Sequence, residues 1–413
     1  MNDATHLGRF DRRLPLASDA SQWEFDLAVQ QTGQVQHFWE PRRFPASVQM
    51  HAMVPKHFGI RGRRLERFGD VERAAGHNLT ALDFYFEAAV AYGSGQHAIF
   101  VDNDEKRLLH SSSVRCYDAV RELAPRVIER VEFEFEGATL SGYLHLADVE
   151  GPAPLVFMIS GIDMTKEMVP DPMRNWATER GMHLFVFDGP GQGSSNLNGF
   201  PLTVDNFERA SSAALDVLLE RREVAADQVV LYAMSFGSYW GARVAATEPR
   251  FAAVVLQWAS VCDMNYLFNG HASPRYKQVL AFATRVGSEE ELDAFINAMG
   301  LDELVGRISA PTLVTVGEFD QRSPLEGVYE FFDAMTCPRE LWVFPDQHHR
   351  LSVRGGAGAN TSGVDTHSFG MDWLQDRLRA VPLSRDGQVR YLDGSAAGPN
   401  DPRLAEHRHW YDA

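Results

Sequence analysis

Polar and apolar residues alternate strictly along Val131-Glu132-Phe133-Glu134-Phe135-Glu136, break at Gly137-Ala138, and alternate again from Leu140 to Leu146. A period of two with one wet face predicts a hairpin that forms the antiparallel edge of a larger sheet. Downstream the pattern changes to continuous apolar runs: Leu155 to Ile159, Leu184 to Phe187, Val229 to Ala233, Ala253 to Leu256, Leu313 to Val316 and Leu341 to Phe344. Runs this short and this apolar read as strands buried on both faces. Helical stretches separate most of them, so the expectation is a doubly wound α/β fold with a mostly parallel sheet.

Upstream, from about residue 20 to 128, the signals are mainly helical. Thr80-Ala81-Leu82-Asp83 has the form of a capping box, with Leu79 and Phe84 placed as a hydrophobic staple, and Phe84, Ala88 and Ala91 follow at helical spacing. The interval from about 260 to 308 is longer than one crossover needs and contains a helical pattern over Glu289 to Met299; it reads as a cap inserted over the strand ends. A last helix is expected around Thr366 to Ala380, and the Gly-, Pro-, Asp- and Arg-rich tail from Leu383 is expected to run extended over the surface. The resulting division is a mainly helical region 1–128, a catalytic domain 129–382 with its cap at about 260–308, and an extended tail 383–413.

Composition narrows the function more than the fold. At 413 residues, with 45% hydrophobic and 23% charged residues, the chain is ordinary globular protein with room for one large core and an extra domain. A formal charge of −17 repels polyanions, so no nucleic-acid partner is expected. No run approaches the roughly 18 apolar residues of a membrane helix, and Met1-Asn2-Asp3-Ala4-Thr5-His6 lacks the layout of a secretory signal. Cys116, Cys262 and Cys337 are odd in number and widely spread, which suggests neither a disulfide framework nor a metal cluster. A cytoplasmic location, no metal and no cofactor are the expectations.

The candidate chemistry begins where the run Val229-Val230-Leu231 ends in Tyr232-Ala233-Met234-Ser235-Phe236-Gly237 and a small-residue helix follows to about Thr247. Small-x-Ser-x-Gly between a buried strand and a helix describes a nucleophile elbow, which lifts the serine oxygen above the sheet end. A nucleophilic serine needs a base, and the base an orienting acid. Asp320 follows the strand Leu313 to Val316, with Glu318 as the alternative acid; His348 and His349 follow the strand Leu341 to Phe344. Order and strand context fit a Ser235–Asp320–His349 triad, with His348 as the alternative base. The N–H of Phe236, after the nucleophile, is the expected first oxyanion donor. Gly161 lets the backbone approach closely, which makes the N–H of Ile162 the second. The glycine-rich Asp188-Gly189-Pro190-Gly191-Gln192-Gly193 lacks the lysine and spacing of a phosphate loop and reads as tight-turn scaffolding.

These residues carry a family resemblance. From about Leu65 to Leu378 the chain resembles the α/β-hydrolase family that includes 2,6-dihydroxypseudooxynicotine hydrolase, fungal polyketide-shortening hydrolases and related esterases. The signature is Ala75-Gly76-His77 through Tyr85, Ala88 and Tyr92, Gly161-Ile162-Asp163 with Lys166-Glu167, Asp188 to Gly193, and Ser235. The resemblance implies the α/β-hydrolase fold, an N-terminal helical domain over the site, a Ser/Asp/His triad and a homodimer. Several such enzymes cleave a carbon–carbon bond next to a ketone, and in some the acid of the Lys-Glu segment assists, which here is Glu167. A structural glutamate paired with Lys166 is the other reading of that residue. Ala233 stands where the family has glycine, and Ser238 where a second glycine often sits. The expected activity is hydrolysis of a small aromatic or polyketide-like carbonyl compound at a C–C or ester bond. A thioesterase, esterase or cyclase of a biosynthetic pathway is the nearer alternative, and a non-catalytic binding protein on the same scaffold the more distant one.

Overall fold

The computed structural model describes residues 35–36, 43–44, 48–270, 274–345, 347–349, 351 and 366–392. Three helices come first: α1 (Val54–Ala74), α2 (Asn78–His97) and α3 (Asp104–Leu123). The hairpin follows as β1 (Ile128–Phe135) and β2 (Ala138–His145), joined through Glu136 and Gly137, both at positive φ. The remaining strands are β3 (Ala153–Ile159), β4 (His183–Phe187), β5 (Val224–Met234), β6 (Val254–Gln257), β7 (Thr312–Gly317), β8 (Arg339–Phe344) and β9 (Gln388–Tyr391). The principal helices among them are α4 (Asn206–Leu219), α5 (Phe236–Thr247), α6 (Pro274–Thr284), α7 (Glu289–Asn297), α8 (Leu325–Ala334) and α9 (Thr366–Leu378).

These nine strands form one sheet in the order β9-β8-β7-β6-β5-β3-β4-β2-β1. It is parallel from β9 to β4, and β2 and β1 close the edge antiparallel. The chain leaves β3 for β4 on one side and returns to β5 on the other, so the strand order reverses between β3 and β5. Open α/β sheets place their sites beyond the strand ends at such a switch point. Here Ile159 and Ala233 are register partners, which sets Ser160-Gly161 beside Met234-Ser235.

The alternation along the strands splits the core in two. Leu155, Phe157 and Ile159 join one cluster with α4, α5, α6 and α7, and Val156 and Met158 the other with α2, α3 and α9. The Tyr117 ring of α3 lies 4.6 Å from that of Tyr143 in β2, and its hydroxyl is 3.1 Å from His145 Nε2. Hydrophobic core therefore runs straight across position 128, where the pattern changes from helix to strand. The interval 260–308 carries α6, α7 and two short helices, Tyr266–Gly270 and Asp302–Val305.

Two local expectations are corrected. Thr80 caps no helix: Gly76 at φ +81° ends α1, and α2 starts at Asn78 behind His77, so Thr80 lies inside the first turn and Leu79 is 57% exposed. The tail from Leu383 does not simply cross the surface, because Gln388–Tyr391 pairs in register with Glu340 to Val343 and buries Val389. Its residues 393–413 lie outside the described part, as do residues 1–34. Among the described residues no helix is long and apolar enough to cross a membrane.

Candidate active site

Strand β5 ends in a backbone conformation that only a strong local constraint maintains. Ser235 sits at φ +56°, ψ −135°, in a region costly for a residue with a Cβ. Three contacts hold it there. Its N–H donates to Gln257 O at 2.8 Å, and the Ser238 N–H and hydroxyl both donate to Ser235 O, at 2.8 and 2.6 Å. Ser238 Oγ also accepts from the N–H of Ser260 at 2.7 Å, which ties the elbow to the loop after β6. The residue where a glycine often sits has thus become a brace. The second departure, Ala233, is accommodated by Gly241 on α5, where an added Cβ would lie 2.4 Å from the Ala233 methyl.

Beyond the elbow the side chains form a short chain of hydrogen bonds. Ser235 Oγ lies 2.7 Å from His349 Nε2, and His349 Nδ1 lies 2.7 Å from Asp320 Oδ2. Asp320 Oδ1 accepts from the N–H of Arg322 at 2.9 Å. Asp320 and His349 are 3% and 6% exposed, and the Trp258 ring covers His349 at 6.3 Å between centroids. The loops bearing acid and imidazole are fitted together at Gly317, where a Cβ would run into the carbonyls of Gln347 and His348.

This geometry separates residues that spacing could not. His348 turns its Nδ1 to the carbonyl of Phe319 at 3.0 Å, away from the serine. Glu318 is half-buried, and its backbone N–H donates to Phe344 O. Phe236 is the first residue of α5, so its N–H belongs to the donors that a helix start leaves without intrahelical partners, at the positive end of the helix dipole. Gly161 faces the serine: a Cβ there would lie 3.4 Å from Ser235 Oγ. The Gly161 carbonyl is held at 3.1 Å by Gln192 Nε2, while Gln192 Oε1 accepts from the N–H of Gly189 at 3.2 Å. Ile162, the next residue, thereby sits on a braced turn.

Glu167 is not brought to the serine. It is fully buried against Lys166 Nζ at 2.8 Å, and Tyr143 donates a long hydrogen bond of 3.4 Å to its Oε1. Lys166 Nζ also meets Asp188 Oδ2 at 2.7 Å and donates to Ser194 Oγ at 3.0 Å. Burial works against both charges of the Lys166–Asp188 pair, yet mutual attraction wins: the ammonium is raised and the Asp188 carboxyl lowered from their ordinary values. Asp188 further accepts from the N–H groups of Lys166 and Ser194, so the glycine-rich loop is clamped by a satisfied carboxylate, as scaffolding requires. Among the described residues no group of His, Cys, Asp and Glu could hold a metal ion. Sequence reasoning missed Ser238, Gln192 and Trp258 as supports of the site. Each acts through a contact made only on folding.

The mostly parallel sheet, its switch point and the strand–serine–helix elbow together define the α/β-hydrolase fold. Residues 71–328 match the family described as Esterase FrsA-like, and the chain belongs to that family. It is 28% identical over 311 residues to 2,6-dihydropseudooxynicotine hydrolase of Paenarthrobacter nicotinovorans, covering 74% of this chain and 80% of that protein. It is 24% identical over 238 residues to Esterase FrsA of Vibrio cholerae, covering 57% and 55%. The crystal structure of the 2,6-dihydroxy-pseudo-oxynicotine hydrolase superposes with a TM-score of 0.68 at 26% identity, covering 79% of this chain and 89% of that one. Fold and family make this chain a hydrolase of the α/β-hydrolase type.

Proposed function

We propose that this enzyme hydrolyses a carbonyl compound by covalent catalysis through Ser235. The observation that carries the reading is the continuous path Ser235 Oγ–His349 Nε2–His349 Nδ1–Asp320, with both links at 2.7 Å. Asp320 accepts a hydrogen bond from the His349 Nδ1–H, which fixes the tautomer and leaves Nε2 basic toward the serine hydroxyl. Nε2 takes the hydroxyl proton as Oγ attacks the carbonyl carbon, and the oxyanion that forms is held by the N–H groups of Phe236 and Ile162. Collapse breaks the bond to the leaving group, which takes its proton from the imidazolium. Water, activated by the same imidazole, then releases the acyl group from Ser235.

Two leaving groups fit this sequence. An ester releases an alcohol; a β-diketone or acylphenol releases a carbon whose charge the neighbouring carbonyl or ring delocalises. The substrate we infer is a small aromatic or polyketide-like molecule of one of these kinds; kinship to an enzyme named an esterase supports the ester, and kinship to one named for an oxynicotine supports the aromatic part. Product analysis on a p-nitrophenyl ester and a 1,3-diketone, for wild type and Ser235→Ala, tests the reading. Turnover of either by wild type alone supports it and assigns the bond. Equal rates for the two proteins overturn it.

A further inference from the structure

Beside the oxyanion turn lies a cavity whose polar lining has more donors than the fold uses. It is bounded by Ile162 to Thr165, by the α2–α3 junction and by α6 of the cap, and has a volume of about 30 Å³. That is room for about two waters or one small polar group, far below the roughly 300–1,000 Å³ of a site for a drug-sized ligand. It suits one end of a substrate.

Three polar side chains in its wall are each more than nine-tenths buried: Lys106, Gln96 and Thr165. The Lys106 ammonium donates to the carbonyls of Gln96 and Ile99 at 2.8 and 3.0 Å, neutral acceptors that leave one of its three protons over, and it lies 4.3 Å from the centre of the Phe282 ring. No carboxylate pairs with it among the described residues. The Thr165 hydroxyl is buried without a hydrogen-bond partner, and the Gln96 side-chain amide makes no hydrogen bond to the described residues. A buried cation with neutral partners, beside two idle polar groups, is an expensive arrangement unless something negative completes it. The rest of the chain is strongly acidic, so this cation is not part of a general basic surface.

We propose that this cavity is a carboxylate subsite, in which Lys106, Thr165 and Gln96 bind the acid group of a substrate whose reacting carbonyl lies a few bonds away at Ser235. The two ends are structurally linked: the N–H of Met164 closes the turn onto Gly161 O at 3.1 Å, and Gly161 faces the serine oxygen. A carboxylate has lone pairs for all three donors at once. Burial lowers the free Lys106 ammonium to about 7, with the charge of Asp102 acting in the other direction; a bound carboxylate restores its charge. Asp163 also lines the cavity, with its carboxylate beside Gly161, and its charge disfavours an acid group on that side. The inference rests on the hydrolase reading for the position of the carbonyl, but the subsite itself binds an acid whether or not Ser235 reacts.

The test compares mono-p-nitrophenyl glutarate with p-nitrophenyl butyrate, and measures binding of glutarate itself by calorimetry. Wild type should prefer the acidic ester by at least tenfold in kcat/KM, chiefly through KM. Lys106→Met should reduce that preference at least tenfold, and so should Thr165→Val, which leaves the Lys106 contacts to Gln96 and Ile99 in place should the first variant fold poorly. Glutarate should bind wild type and Ser235→Ala alike, and each pocket variant at least tenfold more weakly. Hydrolysis of both esters without preference overturns the subsite while leaving the hydrolase reading intact. Glutarate binding without hydrolysis of either ester supports the subsite and sinks the hydrolase reading. No glutarate binding to wild type overturns the subsite outright.

Discussion

Asp188 and Asp320 follow two parallel strands, β4 and β7, at the same end of one sheet, and they are almost equally buried at 1% and 3% exposure. Their surroundings make them opposites. Asp188 collects two backbone N–H groups and the ammonium of Lys166, which it shares with Glu167, so its charge is met by groups of the scaffold itself. Asp320 has one backbone donor and an imidazole, and that imidazole carries the connection onward to a serine held at positive φ. Burial alone therefore does not mark a reactive carboxylate. What separates them is whether the hydrogen-bond path stays within the scaffold or ends on a serine held at positive φ.

Substitution should divide the pair along that line. Asp320→Asn is expected to lower kcat/KM by about 10³–10⁴-fold by presenting the wrong imidazole tautomer, with urea stability nearly unchanged; a loss below tenfold would remove Asp320 from the mechanism. Lys166→Met should do the reverse. It strands two buried carboxylates and is expected to cost about 3–5 kcal/mol in urea unfolding, while a cost under about 1 kcal/mol would mean the network is not the scaffold described. Gly241→Ala should cost about 1–3 kcal/mol by overpacking against Ala233. Adding Ala233→Gly should recover most of it, and simple additivity of the two changes would refute the compensation.

Smaller effects follow from pH. The Asp188 carboxyl is lowered from 3.8, so its contribution is present above that value and lost as pH falls through the folded one. Lys166 is raised above 10.5, so its contribution is full below 10.5 and lost as pH rises through the folded value. His145 differs: burial, aided by Arg121, lowers it from 6.5 to about 3. The unfolded chain binds that proton first, so stability should begin to fall below pH 6.5. His145→Gln should flatten the melting-temperature profile between pH 6.5 and 4; an unchanged slope would assign the acid limb elsewhere. Smallest of all, Glu318→Gln should change kcat/KM by about threefold or less. His348→Ala, which gives up one hydrogen bond to Phe319, should cost about tenfold at most, and a thousandfold loss in either would redraw the triad.

Much of this was legible in the sequence, for identifiable reasons. Buried parallel strands write themselves as apolar runs, and every such run became a strand, from Ala153–Ile159 to Arg339–Phe344. The elbow and the order of acid and histidine are strand-end features, so they survive in one dimension. The choice between His348 and His349 is not written there, because it depends on two loops meeting at Gly317. Glu167 was undecidable for a similar reason, since its role depends on where Lys166 reaches. The supposed cap at Thr80 failed because Gly76 had already broken the helix, and the strand Gln388–Tyr391 stayed hidden because four residues pairing at a sheet edge leave little periodic trace. The carboxylate subsite had no sequence signature: Gln96, Lys106 and Thr165 converge only in the folded chain.

The central claim is that Ser235 is an activated nucleophile, and intact-protein mass after a fluorophosphonate probe measures this directly. Displacement of fluoride should add one phosphonyl group to wild type. Ser235→Ala should gain nothing, and His349→Ala should label far more slowly. Equal labelling of wild type and Ser235→Ala, or no labelling of wild type at all, would contradict the account.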